Sequence, residues 1–571
     1  MQLRIKLIIA AVAVIVIGLV TVILINRFSP SLEVMPLTEY YNTADDEIVL
    51  IIQNEMSEDK GYYIDSIPYV RYSLVKQRFN SRFYLSPHED VVIYTTPIEN
   101  IKITADKQAI SVNKKKTTLE YVPLKTIEGE LYMAMPFVRD YSDIEYSMYE
   151  NPNRMLITCE WGENELCSTV EKEASLRCEP DIKSPILEEL AVGAAVVMVD
   201  SSEDIGGGFV KVLSEDGVIG YVKSNRLEES EYKTRESSYI PPEYTHITRD
   251  HDICMVWHQV TNETANNGLL DLLNSTKGVN TISPTWFSIK DNDGNISSLA
   301  SERYVARAHE AGVEVWGLCN DFNEEVDLAT VFSTTKSRER LENKLLSMAI
   351  EYGLDGINID FEKIKTEFAE DYIQFLRELS VKCRTNGIVL SVDDYVPMEY
   401  RSYYDYSEQG NVADYVVIMA YDEHYSGGEA GSVSSLSYVN KAVTDIQNYV
   451  PADQVIIALP FYTRLWKIGT GDGGKEKTTS EAYGMKGAQN MLNEYGVSAT
   501  WDDATSQFYA EFKDGPDTCK IWLENEKSID EKLKAVTGGG VNNVAFWKLG
   551  FENTETWNVI SNYINAAGSE N

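Results

Sequence analysis

The chain has 571 residues, of which 43% are hydrophobic and 25% charged; this composition excludes a disordered protein and leaves room for about three domains. A net charge of −38 argues against a nucleic-acid partner, because an acidic surface repels phosphate, and otherwise indicates solubility. The seven cysteines are odd in number and show no CxxC pair or zinc-ligand spacing, which excludes a fully paired disulfide framework within one chain.

The first predicted element is an apolar helix near the N-terminus. Residues 7–25 read LIIAAVAVIVIGLVTVILI, a charge-free stretch of 19 residues that is long enough to cross a hydrocarbon core of ~30 Å. A cleaved signal peptide is the alternative, but its apolar region is usually about 7–15 residues long and ends at a small-residue site. Since Arg4 and Lys6 precede the segment and acidic residues follow it, the sequence predicts a single-pass anchor in residues 1–29, with the remaining domains outside the cell.

Residues 30–165 are predicted to form a β-rich domain. Short β-branched runs at 91–97, 109–112 and 155–161 are separated by turn residues, a pattern typical of closely spaced strands. The stretch 121–141 (YVPLKTIEGELYMAMPFVRDY) resembles a stalk-type repeat related to the N-terminal domain of copper amine oxidases. Copper is not implied, because the stretch has no histidine cluster.

Residues 168–228 are predicted to form a second, smaller β-unit. The run FVKVLSEDGVIGYV (209–222) reads as two strands around Glu215-Asp216-Gly217, a hairpin turn signal. With Leu176-Arg177 and Gly193, this run resembles a bacterial SH3 domain, a module that often binds cell-wall material. A small barrel that only serves as a spacer is the alternative. Residues 229–245, which are polar and contain a Pro-Pro pair, are predicted to be a linker.

From 246 to 571 the pattern changes to short apolar strands that alternate with amphipathic helices. The predicted strands are 253–260, 281–287, 313–319, 356–362, 388–394, 415–422, 455–462 and 543–550. Eight such repeats favour an α/β fold of the (β/α)8 TIM-barrel type, with a doubly wound sheet as the alternative. In a TIM barrel the chemistry lies at the C-terminal ends of the strands, so these ends are where catalytic residues are expected.

The fourth predicted strand carries a polar row. Because side chains alternate along a strand, Asn358, Asp360 and Glu362 share one face, with Glu362 nearest the rim. Burying such a row costs several kcal/mol unless its members bond each other or a ligand. Two neighbouring carboxyls also push one of them to keep its proton, as a general acid must. One alternative is a chance pattern among the 89 acidic residues of the chain. The other is a metal site, against which the lack of a histidine in the motif argues.

The run DGINIDFE (355–362) resembles the signature of family 18 glycoside hydrolases, the chitinase-like family. Asn358 stands where chitinases usually carry Asp, and some cell-wall and spore-type members carry Asn there. The run MAYD (419–422) resembles the sixth-strand motif, ALPFY (458–462) with Arg464 and Trp466 resembles the seventh strand, and Trp547 resembles the tryptophan that floors the sugar pocket. Together these motifs cover residues 250–560.

The resemblance implies a substrate-assisted mechanism that needs no metal and no cofactor. Glu362 would be the general acid, Asp360 would hold the acetamide N–H, and Asn358, Tyr421 and Asp422 complete the implied catalytic set. The implied substrate-binding residues are Trp286, Met419, Arg464, Trp466 and Trp547. For each tryptophan, core packing is the competing interpretation.

The leading hypothesis is a membrane-anchored hydrolase that cuts β-1,4 bonds at N-acetylglucosamine in bacterial peptidoglycan, similar to the family's spore-cortex and cell-wall N-acetylglucosaminidases. A chitinase or chitooligosaccharide hydrolase is the second hypothesis. The third is a glycan-binding protein without catalysis, against which the presence of Glu362 argues. The predicted partners are a polysaccharide that contains N-acetylglucosamine and, through the anchor, the membrane.

Overall fold

The structure is a computed structural model that describes residues 2–199, 207–471 and 475–567. The chain divides into two compact units. The first contains Met1–Tyr84, Val91–Tyr94 and Ile101–Pro241, and the second contains Leu85–Asp90, Thr95–Asn100 and Pro242–Asn571. The predicted boundaries at 165, 168, 228 and 245 remain predictions.

The predicted N-terminal segment is helical. The helix Gln2–Phe28 has 27 residues and none of its side chains is buried. Its most apolar part has a mean hydropathy of 3.3, so the helix is long and apolar enough to cross a membrane. The same length and composition suit a signal sequence, so the anchor remains a prediction.

The first unit is rich in strands, as predicted. One seven-stranded sheet contains, in spatial order, Glu145–Tyr149, Arg154–Thr158, Glu47–Ile52, Glu55–Ile64, Ile67–Arg71, Glu130–Ala134 and Leu124–Ile127. A five-stranded sheet is formed by Tyr84–Ser86, Val91–Thr95, Asn100–Thr104, Ala109–Val112 and Lys115–Thr118. Short helices lie at Leu37–Tyr41, Tyr72–Leu74 and Met135–Asp140, and a π-helical turn lies at Val75–Phe79.

A second seven-stranded sheet covers the region that resembles an SH3 domain. Its order is Ile186–Leu190, Ala174–Arg177, Ile219–Lys223, Phe209–Ser214, Ala195–Met198, Asn164–Thr169 and Glu231–Thr234. The predicted hairpin is confirmed, because Phe209–Ser214 and Ile219–Lys223 pair antiparallel around Gly217, whose φ is 69°. The predicted linker contains a strand near its start. Glu231–Thr234 is an edge strand, and because all four side chains are exposed, no apolar alternation marks it in the sequence.

The second unit is built on a closed parallel barrel of eight strands. They are β1 (Cys254–His258), β2 (Thr281–Pro284), β3 (Glu314–Asn320), β4 (Gly356–Asp360), β5 (Val389–Tyr395), β6 (Tyr415–Met419), β7 (Val455–Pro460) and β8 (Asn543–Trp547). Each strand pairs in parallel with the next, and β8 pairs with β1, which closes the ring. The TIM barrel is confirmed, and the doubly wound alternative is wrong because such a sheet has open edges.

Helices surround the barrel and are held by its outward-facing side chains. They are Leu269–Leu273, Glu302–Glu310, Leu328–Ser333, Thr335–Tyr352, Ala369–Asn386, Tyr406–Val412, Leu436–Ile446, Glu526–Gly538 and Thr556–Ala567. Outward residues such as Ile357, Ile359 and Phe361 of the β4 segment pack in one large apolar core with these helices. A second cluster fills the barrel interior and includes Trp257, Trp316, Val417 and Ala545. The two clusters give the barrel its two-layer packing.

The eight predicted strands all exist, but several are shorter than predicted. The segment 281–287 divides into β2 and a separate strand, Phe287–Ile289, which pairs antiparallel with Ile296–Ser298. The segment 455–462 ends at Pro460, after which the chain enters an insertion. This insertion is a five-stranded antiparallel sheet of Tyr462–Thr470, Glu476–Gly484, Thr500–Asp502, Gln507–Asp514 and Asp517–Leu523, packed on the helix Met485–Tyr495. No separate prediction for this insertion follows from the strand and helix pattern in the sequence.

Candidate active site

The start of β4 is fixed by the first two residues of the DGINIDFE run. Asp355 Oδ2 accepts a hydrogen bond of 2.8 Å from the backbone N–H of Val315 and lies 2.7 Å from His309 Nε2. Gly356 is required by close packing, because a Cβ there would lie 2.7 Å from the Trp316 ring. These two motif residues therefore position the strand and do not reach the pocket at its other end.

The alternation predicted along β4 is confirmed. Asn358 and Asp360 are buried among the interior side chains, while Ile357 and Ile359 face the surrounding helices. The strand ends at Asp360, so Glu362 lies just beyond it, half-buried at the rim. The polar row therefore leads from the barrel interior to its C-terminal mouth.

At this mouth lies an open pocket of about 630 Å³. It is lined by residues from seven of the eight strands or from the loops that follow them. They are Trp257, Phe322, Asp360, Glu362, Asp393, Tyr395, Met419, Tyr421, Asp422, Tyr462 and Trp547. The predicted residues Asp360, Glu362, Met419, Tyr421, Asp422 and Trp547 thus come together around one cavity.

Asn358 lies beneath the pocket with all its hydrogen-bonding groups engaged. Its Oδ1 accepts from Trp257 Nε1 at 3.1 Å and from the Ser283 hydroxyl at 3.0 Å. Its Nδ2 donates to the Ser391 hydroxyl at 3.0 Å and to Asp393 Oδ1 at 2.7 Å. These four bonds fix the orientation of the amide, so Asn358 supports the pocket rather than facing a substrate.

Three carboxyls share this water-poor site, and burial is the largest cause of their raised pKa values. Burial and the neighbouring Asp393 carboxyl raise the pKa of Asp360 well above its usual range. Burial also raises the pKa of Asp393, although the Asn358 amide opposes this shift. Burial raises the pKa of Glu362, and the hydroxyl of Tyr395, which donates to Glu362 Oε2 at 2.6 Å, opposes the rise. The site therefore holds protonated carboxyls at a pH where exposed ones would be ionised.

The backbone after β4 is held by an acidic residue that the sequence analysis did not single out. Asp321, which follows β3 and is 1% exposed, accepts hydrogen bonds from the backbone N–H groups of Glu362 at 3.2 Å and Lys363 at 2.8 Å. Burial raises the pKa of Asp321 to about 6. Asp321 thus fixes the position of Glu362 without contacting the pocket through its own carboxyl.

The end of β6 brings the MAYD residues into the pocket. Asp422 has a left-handed backbone conformation with φ of 53°, which turns the chain sharply after Tyr421. Asp422 Oδ1 accepts from the hydroxyl of Tyr462 at 2.6 Å and lies 3.7 Å from a guanidinium nitrogen of Arg464. Arg464 therefore acts on Asp422 rather than lining the cavity itself. Burial raises the pKa of Tyr421, so its hydroxyl stays available as a donor.

The predicted tryptophans divide into two groups. Trp547 lines the pocket, and its ring centroid lies 5.9 Å from that of Trp257. Trp286 and Trp466 do not line it, and both are buried. Trp286 Nε1 donates to Asn266 Oδ1 at 2.8 Å, and Trp466 Nε1 donates to the carbonyl of Gly431 at 2.7 Å. Their predicted role in sugar binding is corrected to core packing, because neither ring face is free to stack on a ligand.

Sequence reasoning missed Trp257, Asp321, Phe322, Asp393, Tyr395 and Tyr462. Trp257, Asp393 and Tyr395 lie on β1 and β5. The Asp393-Asp394 pair at the end of a buried strand was the clearest signal in the sequence. Acidic residues are rarely buried, so two of them in an apolar run indicate a specific partner or function. Asp321 and Phe322 follow β3 directly, where strand-end chemistry was expected.

The arrangement can donate a proton and hold a ring-shaped polar ligand. Glu362 is half-buried at the mouth with a raised pKa, and a carboxyl that keeps its proton more readily than an exposed one suits a general acid. Trp257 and Trp547 supply apolar ring surface to the lining. Across the described residues, no group of three or more His, Cys, Asp or Glu side chains is placed to hold a metal ion.

The model of the glycosyl hydrolases family 18 matches residues 257–552, just over half of the chain. The chain is 26% identical over 298 residues to the uncharacterized glycosylase YvbX of Bacillus subtilis (strain 168), covering 49% of this chain and 84% of that protein. It is also 26% identical over 251 residues to the cortical fragment-lytic enzyme of the same organism, covering 43% of this chain and 57% of the relative. The crystal structure of the C-terminal domain of a candidate chitinase from Desulfitobacterium hafniense DCB-2 superposes with a TM-score of 0.51 at 21% identity, covering 56% of this chain and 99% of that domain, which supports the barrel fold.

Proposed function

This chain belongs to the glycosyl hydrolases of family 18 and is a glycosidase, and we propose that it cuts β-1,4 bonds next to N-acetylglucosamine in bacterial peptidoglycan. The observation that carries the proposal is Glu362, a half-buried carboxyl of raised pKa at the mouth of an aromatic-lined pocket. Such a group can protonate a glycosidic oxygen at a pH where an exposed glutamate cannot.

The proposed reaction retains the anomeric configuration through assistance by the substrate. Glu362 protonates the glycosidic oxygen while the oxygen of the substrate's 2-acetamido group attacks the anomeric carbon, which gives an oxazolinium intermediate and releases the leaving sugar. Asp360 accepts a hydrogen bond from the acetamide N–H, and Tyr421 donates one to the acetamide oxygen. Asp422 orients this group, and Asn358 supports the site from below. Glu362 then removes a proton from the water that opens the intermediate.

Two features favour peptidoglycan as the substrate. One relative is named as a cortical fragment-lytic enzyme. The other is the helix Gln2–Phe28, which we propose to be a single-pass membrane anchor that leaves the catalytic barrel outside the cell, next to the wall. The region that resembles an SH3 domain is proposed to bind cell-wall material as well.

A chitooligosaccharide hydrolase is the second candidate, because the candidate chitinase domain shares the barrel fold. Both candidates require an acetamide next to the scissile bond and use the same residues. They differ only in whether the substrate carries lactyl and peptide groups, so the substrate itself must decide between them.

The test uses the full chain in detergent, beside its Glu362→Gln variant. Each is incubated with purified peptidoglycan and with chitooligosaccharides, and the products are identified by mass spectrometry. New reducing-end N-acetylglucosamine from peptidoglycan, absent with the variant, supports the proposal. Cleavage of chitooligosaccharides alone favours the second candidate. Binding without any cleavage by the unaltered chain would contradict a catalytic function for this site.

A further inference from the structure

Asp393 is a buried pocket residue that lies outside the DGINIDFE run. It is 2% exposed and lies on β5, the strand next to β4. In the parallel register Ile359 faces Val392, so the next residues along, Asp360 and Asp393, stand side by side on the inner face. Neighbouring strands are about 4.8 Å apart, which places the two carboxyls in direct electrostatic contact.

The hydrogen bonds around Asp393 decide which of the two carboxyls is ionised. Trp257 and Ser283 both donate to Asn358 Oδ1, so the Asn358 amide is held with its Nδ2 toward Asp393. An N–H donor stabilises a carboxylate over a carboxylic acid. Two adjacent buried carboxyls do not both ionise readily. The bond from Asn358 favours Asp393 as the one that carries the negative charge and Asp360 as the one that keeps the proton.

We propose that Asp393 is a positioning residue whose negative charge, held by Asn358, keeps the acid proton on Asp360 and Glu362. This inference rests on the proposed function of Glu362 as general acid. It gives Asn358 a role as well: a neutral amide at this position carries the bonds to Asp393 without adding a third charge beside Asp360.

Other titratable groups face the same cluster and must be held constant in any test. Around Asp393 and Asp360 these are Glu362, Asp321, Asp394 and Tyr421. Around Glu362 they are Tyr395, Asp422, Arg401 and Lys363. Asp393→Asn and the exchange variant below leave all of these groups unchanged, and the control variant changes only Asp394, so a shift that Asp393→Asn causes and Asp394→Asn does not reports the charge at Asp393.

The decisive variant is Asp393→Asn, which removes the charge but keeps the size and an acceptor for Asn358. We expect the alkaline limb of the kcat/KM profile, where the acid loses its proton, to move down by about one pH unit. The substrate is whichever of peptidoglycan and chitooligosaccharide the unaltered chain cuts. If the alkaline limb stays in place and only the height of the kcat/KM profile falls, the proposal is wrong. A purely structural role would lower kcat/KM by the same factor at every pH.

Exchanging the two side chains sharpens the test. The double variant Asn358→Asp/Asp393→Asn returns one carboxylate to the cluster. This carboxylate lies on β4, the strand of Asp360, instead of on β5. We expect it to restore the alkaline limb to within a few tenths of a pH unit, on the order of experimental error. If Asp393→Asn moves the limb and the exchange does not restore it, position rather than charge matters and the proposal is wrong.

Asp394→Asn is the matched control. Asp394 is the next residue on β5, is fully buried, and accepts from Gln409 Nε2 at 3.3 Å on the opposite side of the strand. Its substitution should leave the limb where it is. If it moves the limb as far as Asp393→Asn does, the shift comes from disturbing β5 and the proposal is wrong.

A readout without substrate separates this inference from the proposed function. Infrared difference spectra of the free chain follow the protonated carboxyl groups as pH rises. We expect Asp393→Asn to lose its buried protonated carboxyls at a pH about one unit lower than the unaltered chain does. This shift would support the inference even if the unaltered chain cuts neither glycan. If the infrared titrations of the variant and the unaltered chain superimpose, the inference is wrong even if both glycans are cut.

Discussion

The second unit buries carboxylates in two contrasting ways. In the shell around the barrel, buried carboxylates are paired with cations: Arg377 Nε lies 2.6 Å from Glu408 Oε1, and Arg338 Nε lies 3.2 Å from Glu378 Oε1. Within the part of the chain that the structure describes, Asp360, Glu362 and Asp393 form no ion pair with lysine or arginine. The shell acids are therefore balanced locally, whereas the pocket acids can lower their energy only by keeping protons or by binding a ligand.

The contrast shows how to distinguish buried acidic residues that stabilise the fold from buried acidic residues that can take part in a reaction. Burial raises the pKa in both regions, as it does for Glu524 in the shell and Glu362 in the pocket. In the shell, Lys532 opposes the rise for Glu524 and contributes to stability. In the pocket, Asp360, Glu362 and Asp393 have no such ion-pair partner among the described residues, so the raised pKa leaves a proton available there. The two regions should respond oppositely to substitution.

The largest effect is expected in the pocket, from Glu362→Gln. Loss of the general acid should lower kcat by about 100- to 10,000-fold. The unfolding temperature should not fall, because the removed carboxyl has no cation partner and its burial is unfavourable. Product release and thermal unfolding measure the two quantities. Glu324→Gln is the control. Glu324 is an exposed acid on the loop after β3, and it forms an ion pair with Lys363. A rate within tenfold of the unaltered chain would contradict the assignment.

In the shell, Lys532→Met should have the opposite signature. Lys532 and Glu524 are both fully buried, so removing the lysine leaves an uncompensated carboxylate. We expect a loss of about 3–5 kcal/mol in the free energy of unfolding, measured in urea, with kcat of the folded enzyme nearly unchanged. Adding Glu524→Gln should recover most of the loss, because the neutral amide can accept from Gln507 through its oxygen and donate to the Ser528 hydroxyl through its nitrogen. If the double variant is as unstable as the single one, the pair is not the cause.

The same comparison extends to the tryptophans. Trp547 lines the pocket, so Trp547→Ala should raise KM by about 10- to 100-fold, the value of an apolar contact of about 1.5–3 kcal/mol. Its effect on stability should be small. Trp286→Ala should leave KM unchanged and lower the free energy of unfolding by about 3–5 kcal/mol, because its ring is buried against Tyr304. Equal changes in KM for the two variants would contradict the division of the tryptophans.

The sequence predicted the barrel because its signals are local and repeated. Each strand is an apolar run followed by an amphipathic helix, and Gly387 ends its helix in the left-handed conformation, with φ of 69°. The polar row of β4 was equally predictable, since strand alternation alone puts Asn358, Asp360 and Glu362 on one face. These conclusions need no knowledge of which strands are neighbours.

What the sequence did not predict depends on contacts between strands. Asp393 is 33 residues from Asp360 along the chain, and only the register of β4 with β5 brings them together. Trp286 and Trp466 resemble pocket residues until the partners of their N–H groups, Asn266 and Gly431, are known. The insertion after β7 was missed because its half-exposed antiparallel strands lack the continuous apolar runs of a buried parallel strand.

The smallest expected effect tests the hydrogen bond to Glu362 from Tyr395, which lies two residues from Asp393 on β5. Tyr395 donates to Glu362 Oε2 at 2.6 Å, and this bond stabilises the ionised form and lowers the pKa of Glu362. Tyr395→Phe removes the donor, so the pKa of Glu362 should rise. Since the general acid is lost as pH rises through its pKa, the alkaline limb of kcat/KM should move up by about 0.5–1 pH unit.

Tyr404→Phe is the control for this prediction. Tyr404 belongs to the same aromatic group, 6.2 Å from the Tyr395 ring between centroids. Its hydroxyl donates to the backbone carbonyls of Phe361 at 3.4 Å and Glu362 at 3.5 Å rather than to the Glu362 carboxyl. Its removal should leave the limb in place. The direction of the shift is the sharpest point of comparison, because Asp393→Asn should move the same limb down. If Tyr395→Phe and Asp393→Asn moved the alkaline limb in the same direction, a general loosening of the pocket would explain both shifts. The hydrogen bond from Tyr395 and the charge of Asp393 would then not have opposite effects on the pKa of Glu362.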